Sequence, residues 1–156
     1  MPFFGVHGVS HWARVLENGM MLAEETGAHV KVVQLFSVLH DSKRLHEAVD
    51  PGHGVRAAAF AESLRGSFIH LVDHDFELLY RACANHTKGL QEDDATVQTC
   101  YDADRLDLAR ASIYPSPDRL CTGAAKKPEV IDWAVKRSLR DHTPELIFTE
   151  WMVARP

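Results

Sequence analysis

His40 and Asp41 stand side by side at the end of an apolar segment, where the chain enters a polar stretch. An imidazole nitrogen and a carboxylate placed this way make adjacent ligands for one metal ion. The same pair also serves as an ordinary helix terminus, because both residue types are common near helix ends. The chain holds ten histidines, and imidazole is the side chain best suited to borderline transition metals. Lys43 and Arg44 directly follow the pair, and Lys88 follows His86, so three cations are placed to line an anionic mouth and contact a phosphate. Solvated loop charges are the plainer reading of all three. Arg105 lies three residues after Asp102 and would share its helix face, either orienting that carboxylate or forming a surface ion pair.

The elements that must position these residues read as helices. Apolar residues recur at helical spacing over 10–25, with Ser10 as a cap and Gly27 as a stop. Residues 30–40 are rich in β-branched types yet fit a buried helix and are long for a strand. A loop over 41–54 carries charges, Pro51 and two glycines, and an alanine-rich helix follows over 55–64. Further helices are predicted over 73–85 and 95–111, separated by a polar loop over 87–94. Pro115, Pro117 and Pro128 break the next stretch into turns, a last helix covers 129–140, and the tail over 145–153 is ambiguous. Strand signals are confined to 68–72 and that tail, so the expected class is all-α, a single compact multi-helix bundle spanning 1–156.

Composition narrows the function. With 46% hydrophobic and 25% charged residues the chain reads as an ordinary globular protein. A formal charge of −5 gives no general attraction to a nucleic-acid duplex or an anionic membrane, so neither is expected as a partner. Cys83, Cys100 and Cys121 lack the C-x-x-C spacing of structural zinc and read as reduced, mostly buried thiols. Neither a long apolar run nor an export signal is found, and a cytoplasmic location is the expectation. The mixed apolar and charged C-terminal helix would serve a homodimer interface as readily as a core.

Upstream of His40-Asp41 lies His7-Gly8-Val9-Ser10-His11-Trp12-Ala13-Arg14-Val15, and downstream lies Cys100-Tyr101-Asp102-Ala103-Asp104-Arg105-Leu106-Asp107. The ordered set His11, His40-Asp41 and Asp102 resembles the signature of the HD-domain metal-dependent phosphohydrolases, in which helices bring two histidines and two aspartates onto one metal. The resemblance spans about residues 6–110. It implies His11 as first ligand, His40 and Asp41 as second and third, and Asp102 as the carboxylate on a later helix. Asp104 and Asp107 lie close by, and only one of the three is expected to face the centre; the resemblance favours Asp102. His53 and His86 fit a variant of the family with a second metal, for which Asp41 would be a bridging carboxylate. A loop histidine facing water and a helix-end histidine are the alternative readings of these two. Many relatives carry a lysine three residues after the paired aspartate, where this chain has Arg44. His7, His29, His46, His70, His74 and His142 find no matching role.

The resemblance implies hydrolysis of a small phosphoester, a nucleotide or related metabolite, by one or two divalent transition metals. The mixed nitrogen and oxygen ligands suit Mn, Fe, Co, Ni or Zn better than Mg or Ca. Asp41, Lys43, Arg44, Lys88 and Arg105 are the candidate catalytic residues. Two alternatives use the same ligands: a di-iron oxygenase of the same helical fold, and a non-enzymatic sensor or binding domain that keeps a metal for stability.

Overall fold

The periodic apolar residues near the N-terminus form α1, Val9–Thr26, in the computed structural model, which describes residues 3–89 and 92–154. Gly27 ends this helix in the left-handed conformation (φ 70°) that glycine adopts without penalty, and its N–H donates to Ala23 O. The chain reverses at once into α2, Val30–Leu39. Val32, Val33, Phe36 and Leu39 of α2 are all buried, which explains how its β-branched residues stay helical: packing on several sides outweighs their weaker intrinsic preference.

α3 (His53–Leu64), α4 (Asp73–Asn85) and α5 (Ala95–Arg105) complete the bundle. α2 lies at its centre, packed on α1, α4 and α5, while α3 packs chiefly on α4. Two short 3-10 turns, Leu108–Ala111 and Pro117–Arg119, lead to α6 (Pro128–Leu139) and the single-turn α7 (Leu146–Thr149). The described residues are thus all-α, as the periodicity predicts, and none of their helices is long and apolar enough to cross a membrane. The extended stretch over 68–72 finds only an isolated bridge between Arg65 and Ile69.

Ser10, expected as the cap of α1, lies inside that helix, whose N-cap is Gly8, and three further differences exceed a single residue. α3 begins at His53, so this histidine belongs to a helix start and not to the preceding loop. α5 stops at Arg105 instead of running on to 111, because the Asp107 N–H turns back to Asp104 O in a tighter i to i+3 bond. The ambiguous tail becomes α7, whose buried Ile147 packs on Val9 and Ala13 of α1.

Asp107 is the knot that closes this arrangement. Its carboxylate accepts from Arg14 Nε (2.8 Å) and from His11 Nδ1 (2.8 Å), and its carbonyl accepts from Ser138 Oγ (2.9 Å). Arg14 is itself buried and donates to His142 O at 2.7 Å. One buried ion pair therefore ties the start of α1 to the exit of α5 and to the end of α6.

Removing one partner of such a pair strands a buried charge, so Asp107→Ala is expected to lower stability by about 3 kcal/mol in urea denaturation at neutral pH. Burial alone would raise the Asp107 carboxyl, but the bonds from His11 and Arg14 outweigh it and hold the group at about 2. That lies below the unfolded value of about 3.9, so this contribution is complete above about pH 5 and is lost as pH falls toward 2. Metal-free protein should lose stability across that window, and Asp107→Ala should flatten the loss.

Candidate metal centre

The starts of α1 and α3 and the ends of α2, α4 and α5 meet at one end of the bundle. These termini carry His11, His53, His40 with Asp41, His86 and Asp104. All six side chains are largely or fully buried, Asp104 being the most open at 13% exposure.

Asp41 is the focus. Its Oδ2 lies 3.6 Å from His11 Nε2 and 3.7 Å from His40 Nε2. Its Oδ1 lies 3.0 Å from His53 Nε2 and 3.7 Å from His86 Nε2. Each carboxylate oxygen thus faces one histidine pair, and within each pair the Nε2 atoms approach to 3.0 Å and 2.9 Å. Asp104 Oδ1 joins the first pair at 3.5 Å from His11 and 3.9 Å from His40. Ligands about 2.1 Å from one ion sit about 3.0 to 3.4 Å apart at octahedral and tetrahedral angles. The histidine pairs and the Asp41–His53 contact lie at that spacing, and the remaining carboxylate contacts, at 3.5 to 3.9 Å, slightly beyond it.

The opposite ring nitrogens decide the tautomers. His11 Nδ1 donates to Asp107, His40 Nδ1 to Phe36 O and Ser37 O (3.1 Å each), His53 Nδ1 to Asp50 O (2.5 Å), and His86 Nδ1 to Cys83 O (2.8 Å). Carbonyl and carboxylate oxygens only accept, so in the neutral rings every Nδ1 holds the proton and every Nε2 presents a lone pair. Four lone pairs then converge on an anionic carboxylate whose Oδ1 is buried without a hydrogen-bond partner. A cation resolves that arrangement, and the donor set fits a divalent transition metal.

Electrostatics point the same way. Burial lowers His40 to about 3, and burial with Arg110 nearby lowers His11, which keeps both as neutral ligands. Burial also works against charge on His86, but Asp41 and Asp104 outweigh it and raise the ring, so a proton there can stand in for a cation. The Asp41 carboxyl lies well below the usual range despite its burial because imidazoles surround it. The C-terminal ends of α2, α4 and α5 add partial negative charge at the same place.

His40 and His86 are residues that end their own helices, and their rings cap last-turn carbonyls, Ser37 O and Cys83 O, that no backbone N–H of the next turn reaches. His53 reaches His86 because Gly54 lets the start of α3 press on the end of α4: a Cβ there would stand 2.6 Å from Cys83 O and 3.2 Å from the His86 ring.

The later carboxylate is Asp104, not Asp102. The two lie about 200° apart around α5, and the face turned to the histidines carries Asp104. Asp102 is fully buried elsewhere, accepting from Cys121 N (2.7 Å), Thr122 N (2.7 Å) and Thr122 Oγ1 (2.8 Å). Among the four predicted cations only Arg44 touches the cluster, with Nη1 3.6 Å from Asp41 Oδ1 and 3.3 Å from His53 Nε2. Lys43 turns away to place its ammonium 3.7 Å over the Phe60 ring, and Lys88 is exposed. Arg105 donates to Gly89 O, Arg119 O and Cys121 Sγ, so it braces a neighbouring segment instead of orienting Asp102.

Two contributors had no role in the sequence reading. His7 Nδ1 lies 3.0 Å from Asp41 Oδ2, and Arg110 Nη2 lies 3.3 Å from that ring and 3.8 Å from Asp104. The four-residue spacing of His7 and His11 was the available signal, but His7 precedes the helix, so no periodicity marks it.

Metal analysis separates the two aspartates. Asp104→Ala is expected to lower bound metal by about one equivalent per chain, whereas Asp102→Ala should reduce stability and keep the metal. Full metal content in Asp104→Ala would remove that residue from the ligand set.

No family model matches the chain, and no curated protein matches it. A solved structure does: a predicted HD superfamily hydrolase from an uncultured Thermotogales bacterium, 25% identical, with a TM-score of 0.64 over 93% of this chain and 82% of that one. With the ordered motif His11, His40-Asp41 and a later aspartate, and with helix ends gathering them around one carboxylate, the chain is similar in fold to this HD superfamily structure.

Proposed function

We propose that this chain is a metal-dependent phosphoric ester hydrolase that acts on a nucleotide or related small phosphoester through a dinuclear His/Asp centre. The observation that carries the reading is the Asp41 carboxylate, with one oxygen toward His11 and His40 and the other toward His53 and His86. His11, His40 and Asp104 would hold one cation, with Asp41 Oδ2 beside them, and Asp41, His53 and His86 would hold a second. The second group has only three protein ligands, which leaves positions for water and substrate.

Bound metal supplies Lewis acidity, making water a better nucleophile near neutral pH and offsetting charge on a phosphoryl group. The protein's own groups supply the rest. Asp107 and the helix-end carbonyls hold the imidazoles in the ligating tautomer. Arg44, beside Asp41 and His53, brings the positive charge suited to a phosphate oxygen.

The test begins with elemental analysis of untagged protein and a panel of phosphoesters. About two metal equivalents and phosphate release are expected; His40→Ala and Asp41→Ala should each lose metal and abolish release, while His53→Ala and His86→Ala should lose only the second equivalent. Full activity in His40→Ala or Asp41→Ala would defeat the assignment. Oxygen uptake by iron-loaded protein, with no phosphate release from any ester, would assign the cluster to oxidation instead.

A further inference from the structure

A cavity of about 280 Å³ opens directly beside the cluster. One pole is formed by His86 and Asp104, one residue from each of the two ligand groups. The rest of the lining is mostly apolar, with Leu108, Ile113, Tyr114, Pro115 and Leu120, and its polar members are Thr87, Arg105, Ser116 and Arg119. Ile113 and Tyr114 are 53% and 66% exposed, although large apolar side chains usually find cover in a folded chain.

This wall is held from behind. Arg105 donates to Arg119 O at 2.9 Å, Leu120 is buried against Leu22 and Leu106, and the Asp102 carboxylate takes the N–H groups of Cys121 and Thr122. Both Asp102 and Arg105 belong to the helix that also presents Asp104 to the metal ligands. A single helix therefore positions a ligand on one face and the cavity wall on the other. Exposed apolar side chains on a braced segment, facing a polar pole, have the layout of a small-molecule pocket.

We propose that this cavity takes the organic group of the phosphoester, and that this group carries a flat ring packed on Tyr114 and Ile113 while the phosphate meets the metal ligands. The proposal rests on the hydrolase reading for the nature of the polar end and extends it to the substrate: esters bearing an aryl or nucleobase ring are preferred over inorganic polyphosphates and phosphates of small polar alcohols. Tyr114 and Ile113 are specificity-determining residues.

Binding of non-hydrolysable probes tests this apart from turnover. Metal-loaded protein is titrated by calorimetry with phenylphosphonate and with methylphosphonate, which share the anionic head and differ in the ring. Phenylphosphonate should bind about tenfold more tightly, and the preference should fall toward one in Tyr114→Ala and in Ile113→Ser. Both residues are exposed, so these variants are expected to fold and keep their metal. Equal affinities, a preference that survives both substitutions, or failure of both probes to bind would overturn the proposal. Ring-dependent binding without hydrolysis of any ester would leave the cavity assignment standing and remove the hydrolase reading. Hydrolysis with no ring preference would do the reverse. A further comparison of a nucleoside 5′-monophosphate with ribose 5-phosphate, both esters of a primary ribose 5-hydroxyl, tells whether the ring is a nucleobase.

Discussion

A buried carboxylate ringed by imidazole lone pairs is the constraint around which this protein is organised. Asp41 is out of solvent, and the Nε2 atoms of His11, His40, His53 and His86 all face it. Desolvated lone pairs and an anionic oxygen repel one another at these distances, and a buried anion without compensation is costly. The cluster makes physical sense as a receptacle for positive charge, with a proton on His86 as the lesser substitute.

Much of the surrounding structure follows from holding those four rings in one orientation. Helix ends leave carbonyls without partners, and His40 and His86 answer that need with Nδ1, which turns Nε2 toward the centre. The same hydrogen bonds thus finish two helices and select the ligating tautomer. Asp107 does this for His11 while pairing with Arg14, so the orientation of a ligand and the closure of the bundle share one buried carboxylate. Gly54 acts through size alone, since any side chain there would push the α3 start away from Cys83 O and separate His53 from His86.

The C-terminal third joins the site through a different kind of contact. It contributes none of the cluster ligands, but its 113–120 stretch walls the adjoining cavity and is fastened to α5 by Asp102 and Arg105. α5 consequently couples ligand position to cavity shape, because a rotation of this helix would move Asp104 and the wall together.

Apolar periodicity alone determined that the chain is all-α and where its main helices lie, with the fourth helix, Asp73–Asn85, legible to the residue, because a buried stripe must recur with the helical repeat. The adjacency of His40 and Asp41 and their order after His11 were equally readable, since those facts live in the chain itself. Register on the fifth helix was not. Asp102, Asp104 and Asp107 are chemically alike and lie within six residues, and the difference among loop clamp, ligand and proton partner, in that order, is a matter of which neighbour each face meets. The direction of Lys43 toward Phe60, the entry of His7, and the shift of the α3 start to His53 were likewise decided by tertiary packing. Residue type sets what a side chain can do, but a ligand shell is a set of distances between helices remote in sequence, and only the packed bundle defines those distances.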